Sequence, residues 1–156
     1  MRKTAIIIPA RGGSKSVPGK NLYKLNGKPL IDYTIEFAKL IGLDVFVTSD
    51  SEDILSRAKF HKIGKIIRPK ELATDTSKIN DTLLHAAQVL NNEQIIYDSF
   101  LILQPTFLLR DLEEVKQALE IFNSQNIESL VALVKMREHP SECIELELST
   151  KKWNYL

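Results

Sequence analysis

Arg11, Lys15 and Lys20 place three cations within ten residues of one another, with no acid among them. They belong to the stretch Pro9-Ala10-Arg11-Gly12-Gly13-Ser14-Lys15-Ser16-Val17-Pro18-Gly19-Lys20-Asn21. The adjacent Gly12 and Gly13 let a backbone approach a ligand closely and turn its N–H groups inward. Arginine grips phosphate oxygens in a bidentate fork, whereas lysine acts as a mobile point charge. Exposed N–H groups beside fixed cations are what a triphosphate needs; the alternative is a flexible, solvated basic loop. The spacing is not G-x-x-x-x-G-K-[ST], because Ser14 stands five residues before Gly19 and Asn21 follows Lys20. Nor is it G-x-G-x-x-G, since the first two glycines are adjacent, and the dinucleotide reading falls with it.

Such a loop needs a frame. Residues 5–8 form an apolar run of the kind buried on both faces of a sheet, and the loop from 10 to 28 follows it. Leu30, Tyr33, Thr34, Phe37, Ala38 and Ile41 recur at helical spacing, and Gly42 is a stop signal. Residues 44–48 read as a second strand. Ser49 and Glu52 then fit a capping box before a short helix through Ile54, Leu55 and Ala58. Residues 63–67 read as a third strand, closed by Arg68-Pro69. Ser77 or Asn80 starts a helix carrying Leu83, Leu84, Ala87 and Leu90. A fourth strand covers 100–103, and Asp111 with Glu114 caps a helix through Leu112, Val115, Leu119 and Phe122. Residues 130–134 read as a fifth strand, and 143–148 as a half-exposed sixth.

Strands alternating with helices predict an α/β fold: a three-layer, doubly wound, mostly parallel, Rossmann-like sheet in one domain. Ligands in such sheets bind outside the carboxyl ends of the strands. That rule selects the turns after Ile8, Thr48, Ile67 and Leu103.

Composition narrows the partners. Twenty-one basic residues face twenty acidic ones, so no bulk field points to nucleic acid or a membrane. No apolar stretch approaches the ~20 residues of a transmembrane helix. The single cysteine, Cys143, cannot form an internal disulfide, and a soluble cytoplasmic protein is expected.

Three ordered blocks carry a specific resemblance. They are 7–15 with Pro18-Gly19-Lys20-Asn21-Leu22; Arg68-Pro69-x-Glu71-Leu72-Ala73-x-Asp75-Thr76; and Leu103-Gln104-Pro105-Thr106 followed by Leu109-Arg110. Val47-Thr48-Ser49-Asp50 fits the second-strand ending as well. In these blocks the chain resembles the CMP-sialic acid synthetase (acylneuraminate cytidylyltransferase) family, which includes pseudaminic and legionaminic acid cytidylyltransferases.

The resemblance implies a nucleotidyltransferase fold and transfer of CMP from CTP to the anomeric hydroxyl of a nonulosonic acid, with pyrophosphate leaving. It makes Arg11, Ser14, Lys15, Lys20 and Asn21 ligands of the CTP phosphates, with Gly12 and Gly13 giving close backbone approach. Lys20 and Arg11 are the implied catalytic groups, Lys20 acting on charge developing at the α-phosphate. Arg68, Thr76 and Ser77 would read cytosine or ribose. An ordinary turn followed by a helix cap is the other reading of that block. Gln104, Thr106, Arg110 and His139 would meet the sugar; for His139, a surface histidine before Pro140 is the alternative.

Thr106 is followed by Phe107-Leu108-Leu109-Arg110, where the family has Ser-Pro-Leu-Arg. The family also implies Mg2+, held by an acidic pair from a later strand. Here no aspartate follows Asp111, and Glu145 and Glu147 alternate with Ile144, Leu146 and Leu148 like the wet face of a strand. Asp50 is a candidate metal or ribose partner, or a helix cap. The apolar finish on Trp153-Asn154-Tyr155-Leu156 is read as that of a chain lacking the family's C-terminal portion, with most of its dimer-forming elements, so a homodimer is implied only by the family. A Kdo or other sugar nucleotidyltransferase, and a non-catalytic CTP-binding remnant or interaction domain, are the alternatives.

Overall fold

A computed structural model describes residues 2–14, 17–125 and 127–133, together with the strands Ile144–Glu147 and Lys152–Tyr155. In chain order the elements are β1 (Thr4–Pro9), the hairpin β2 (Lys24–Leu25) and β3 (Lys28–Pro29), α1 (Leu30–Ile41), β4 (Asp44–Ser49) and α2 (Glu52–Phe60). Then come β5 (Gly64–Ile67), α3 (Ile79–Asn92), β6 (Ser99–Ile102), α4 (Leu112–Ser124), β7 (Ile144–Glu147) and β8 (Lys152–Tyr155). They divide into two units, Met1–Asn126 and Ile127–Leu156.

In the first unit β1 is central. It pairs in parallel with β4 along one edge and with β6 along the other, and β4 pairs in parallel with β5. The strand order is β5-β4-β1-β6. Alternation along each strand then sorts the core into two layers. Ile6 and Ile8 join Val45 and Val47 under Ile31, Ile35 and Ala38 of α1 and Ile54 and Ala58 of α2. On the other face Ile7 and Ile66 meet Ala86 and Leu90 of α3. The expected three-layer, doubly wound, parallel sheet is therefore present.

The chain moves outward from β1 through β4 to β5. It then crosses back by way of α3 to lay β6 on the opposite side of β1. The β1/β6 boundary is thus the topological switch point, and its carboxyl end is where a ligand crevice opens.

Local chemistry fixes most boundaries. Gly42 ends α1 in the left-handed conformation at φ 84°. Asp111 caps α4 as expected, accepting hydrogen bonds from the N–H groups of Glu113 (2.9 Å) and Glu114 (3.0 Å). The capping box expected at Ser49 and Glu52 does not form. Ser49 is the last residue of β4, fully buried and paired with Ile67, and its Oγ accepts from the Ser51 N–H (3.1 Å). Sheet pairing thus takes Ser49, and Ser51 becomes the N-cap. Within the expected loop, Asn26 and Gly27 both have positive φ (50° and 80°). That geometry turns the β2–β3 hairpin.

Residues 130–133 are not a strand. Val131 and Leu133 are largely exposed (72% and 90%), and a short apolar run becomes a strand only when a neighbour pairs with it. In the second unit β7 and β8 form an antiparallel ladder, so the expected sixth strand exists but is not part of the parallel sheet. Val134 and Cys143 lie outside the described residues. Among the described residues, no helix is long and apolar enough to cross a membrane.

Two side-chain contacts tie the frame together away from the crevice. Asp32 of α1, only 2% exposed, accepts from both Nε (2.9 Å) and a terminal nitrogen of Arg57 in α2. Removing one partner of such a buried pair strands the other charge in the core. At the amino end of the sheet, the Tyr97 hydroxyl donates to Asp44 Oδ2 (2.7 Å), and its ring meets Phe46 edge-on.

Burial first, then the hydrogen bond to Asp44 and its negative charge, push the Tyr97 phenol up to about 12. The unfolded value is about 10. A raised folded value means that the contribution is complete below about pH 10 and is lost as pH climbs to about 12. An alkaline titration followed by phenolate absorbance should show a tyrosine ionising late, near pH 12. Tyr97→Phe should remove that late step and flatten the stability loss in this window.

Candidate functional site

The turns after β1, β5 and β6 enclose a cavity of about 300 Å3 at the carboxyl ends of the strands. Backbone bonds beyond the regular ladders hold its floor. Ala10 N–H donates to Thr48 O (3.0 Å), Arg68 N–H to Ser49 O (2.8 Å) and Leu103 N–H to Ile7 O (3.1 Å). The three turns therefore leave the sheet side by side.

From the first turn the cavity receives Arg11, Gly13, Ser14, Lys20 and Asn21. The fold of this turn depends on Asn21, which is buried in a 3-10 turn and donates from Nδ2 to Arg11 O (2.9 Å). Gly19, at φ 63°, starts that turn. Among the described residues the Lys20 ammonium has no ion-pair partner, so its charge is available to a ligand. Lys15 lies outside the described residues.

The two adjacent glycines have different tasks. Gly12 N–H donates to Asp50 Oδ1 (2.9 Å), away from the cavity, and a Cβ at Gly12 would lie 2.9 Å from Ser51 Cβ. Gly12 thus lets the loop pack against the turn between β4 and α2. Gly13 lines the cavity, and a Cβ there would meet nothing within 4 Å. Asp50, expected as a metal or ribose partner or a helix cap, is the acceptor that anchors the loop, and no side-chain bond caps α2.

The second turn contributes Arg68 and Ser77. Arg68 is 6% exposed; one terminal nitrogen donates to Thr48 O (2.6 Å), while Nε has no partner. Burial pushes its guanidinium below the ordinary arginine value, Asp50 opposes that, and Arg11 adds to it. It stays charged, since arginine is effectively never deprotonated in proteins. Nε is itself shut off from solvent, so what the cavity wall gains from Arg68 is its charge. Ser77 Oγ donates to Glu71 O (2.9 Å) and accepts from Thr74 N–H (3.1 Å), which shapes the turn instead of capping α3. Thr76 is not in the cavity wall; its hydroxyl lies 3.3 Å from that of Thr74.

The third turn contributes Gln104 and Thr106. Arg110 does not line the cavity. Its guanidinium donates to Gln104 O and to Thr34 Oγ1 (3.3 Å) and lies over the rings of Phe37 and Phe107. Burial alone pushes it below the ordinary arginine value. His139 lies outside the described residues.

Asp75 and Thr82 are among the wall residues given no site role from the sequence. Asp75 Oδ1 pairs with Arg11 (2.8 Å), whose same nitrogen donates to Thr74 O (3.0 Å). Thr82 is buried at the start of α3 and reaches Leu72 O (3.4 Å). Asp75 lay in plain view within a recognised block, but nothing in its spacing announces a partner so distant in sequence. Among the described residues, Asp75 is the sole carboxylate in the wall, and no three His, Cys, Asp or Glu side chains cluster as metal ligands. These residues do not form a cage for Mg2+.

The family model described as Cytidylyltransferase matches residues 5–153. The chain is 35% identical over 143 residues to N-acylneuraminate cytidylyltransferase of Streptococcus agalactiae serotype V, covering 89% of this chain and 34% of that protein. It is 36% identical over 141 residues to pseudaminic acid cytidylyltransferase of Campylobacter jejuni, covering 88% of this chain and 60% of that one. The solved structure of CMP:2-keto-3-deoxy-manno-octonic acid synthetase complexed with CTP superimposes with a TM-score of 0.66 at 25% identity. That match covers 80% of this chain and 48% of the other. The chain spans between a third and about three fifths of the length of these curated relatives.

The Gly12 packing can be tested by crowding it. Gly12→Ala should cost about 1–2 kcal/mol in denaturant unfolding, as overpacking does. Ser51→Gly in the same chain should restore most of that loss, because it removes the clashing Cβ and an N-cap tolerates glycine. An unaffected Gly12→Ala protein, or no rescue, would show that the approach is looser than described.

Proposed function

The chain belongs to the cytidylyltransferase family, and from that premise we propose that its cavity holds CTP. In this reading the protein transfers CMP to the anomeric hydroxyl of a nonulosonic, sialic-type acid. The sugar oxygen attacks the α-phosphorus, the bond to the bridging oxygen breaks, and pyrophosphate leaves with the hydroxyl proton released. The observation that carries this reading is the convergence of Arg11, Lys20 and Arg68 on one cavity at the switch point.

Each cation suits a different part of the work. Lys20, on the first turn and without an ion pair among the described residues, is a mobile charge for the α-phosphate as the leaving oxygen gains charge. Arg11 faces the phosphates from the rim. Arg68, oriented by Thr48 O and lining the cavity, would lend its charge to a carbonyl or ribose oxygen of the nucleoside. Gln104 and Thr106 form the polar edge that would meet the sugar. Magnesium is the cofactor that the resemblance implies, and its ligands would come from outside the described residues.

The sialic-type acceptor is favoured by the two relatives named for such sugars, at 35% and 36% identity. A Kdo-type acceptor is the second reading, supported by the superposition on the octonic acid synthetase. Pyrophosphate release on adding each sugar acid with CTP separates them.

Thermal stabilisation by each of the four nucleoside triphosphates should be largest with CTP; equal shifts would reject cytosine selectivity. Lys20→Ala should weaken CTP binding about ten- to a hundredfold, the range for a hydrogen bond to a charged group. Its melting temperature without ligand should barely change. Unchanged CTP affinity would remove Lys20 from the phosphate site.

A further inference from the structure

The Arg11–Asp75 pair spans the cavity: Arg11 stands on the turn after β1 and Asp75 on the segment after β5, and both line the wall. A single guanidinium nitrogen makes both contacts to that segment, with Asp75 Oδ1 at 2.8 Å and Thr74 O at 3.0 Å. The segment belongs to no sheet. Its own bonds, Ser77 Oγ to Glu71 O (2.9 Å) and Thr74 N–H to Ser77 Oγ (3.1 Å), hold it as a compact loop. Arg11 is also near enough to Arg68 to disfavour its charge. A carboxylate on Arg11 therefore offsets crowding between the two cations.

We propose that Asp75 is a surrogate for phosphate on Arg11 and sets the site's preference for ligands carrying several phosphates. This rests on the CTP reading. With no nucleotide bound, Asp75 holds the guanidinium that phosphate oxygens would take. A polyphosphate displaces it, because several negative charges outcompete one. A nucleoside leaves the clasp closed, and a monophosphate competes for it weakly. After pyrophosphate has left, Asp75 retakes Arg11, which favours release of the remaining monophosphate product.

Both side chains are about a third exposed (34% and 38%), so the pair is weak enough to be exchanged. A competing contact of that strength lowers apparent affinity by a few-fold. Removing the wall's negative charge adds to the gain. Asp75→Asn should therefore tighten CTP binding about three- to tenfold, leave cytidine unchanged and affect CMP less than CTP. Asp75→Glu, which can still reach Arg11, should stay near wild type. In an Arg11→Ala background, Asp75→Asn should give less than half of its gain.

Titration calorimetry of these variants with CTP, CMP and cytidine decides the matter. Weaker CTP binding by Asp75→Asn would overturn the proposal, showing that Asp75 supports the loop or touches the nucleotide. An equal gain for cytidine, or an undiminished gain without Arg11, would overturn it too. If wild type binds CTP and Asp75→Asn binds it equally well, the clasp fails and the CTP reading stands. If wild type binds no CTP, both fall.

Discussion

Strand β1 is paired on both edges and covered on both faces, and that double constraint places the cavity. Its alternating isoleucines send Ile6 and Ile8 into one core layer and Ile7 into the other. A one-residue slip would exchange the layers, so the register against Phe46 and Ile102 is tightly specified. Pro9 and Ala10 therefore leave the sheet at a fixed height. The cations that follow emerge beside the ends of β5 and β6 because β1 has no freedom to place them elsewhere. The order β5-β4-β1-β6 puts the phosphate-suited turn next to the point where the winding reverses.

From that fixed point the cavity is built by backbone acceptors more than by charge pairs. Asn21 holds Arg11 O, Thr48 O holds Arg68, and Gln104 O holds Arg110. A carbonyl orients a guanidinium without neutralising it, so Arg68 keeps a full charge in a buried setting. The energetic consequence is visible in the direction of its shift: burial outweighs the help from Asp50. Burying a cation in the wall has a desolvation cost, and an anion beside it relieves that cost.

The features legible in the sequence are those whose signals are local or periodic. The isoleucine run, the helical spacing from Leu30 to Ile41, the stop at Gly42 and the cap at Asp111 follow from side-chain period and backbone chemistry. The loop cations stood out by composition and the block at Arg68 only by its resemblance to a family, and the fold brings Arg11, Lys20 and Arg68 to one cavity wall. Ser49 shows the limit: it had the right spacing for a capping box, but strand pairing took it first. Gly12 shows another. Two neighbouring glycines look interchangeable in sequence, yet one packs on Ser51 while the other faces open space, and only tertiary contact distinguishes them. Residues 130–133 had the apolar content of a strand without a partner among the described residues to make them one.

The turn after β6 shows how a local change is absorbed. Phe107 stands where the resembling family has a serine, and its ring lies against the Arg110 guanidinium, 5.5 Å from ring centre to guanidinium carbon. Phe37 of α1 flanks the same group at 5.7 Å, so the cation lies over two aromatic faces while its N–H groups hold Gln104 O and Thr34 Oγ1. A hydroxyl lost from the turn is thus matched by a stacked guanidinium that ties the turn to α1. The exchange has a consequence for recognition. Arg110 acts on the cavity through the carbonyl it fixes, and the polar residues that this turn gives to the wall are the neutral Gln104 and Thr106. On the proposed function, an acidic sugar at that edge would be oriented by hydrogen bonds from these two side chains, with the cavity's cations, Arg11, Lys20 and Arg68, on the other two turns.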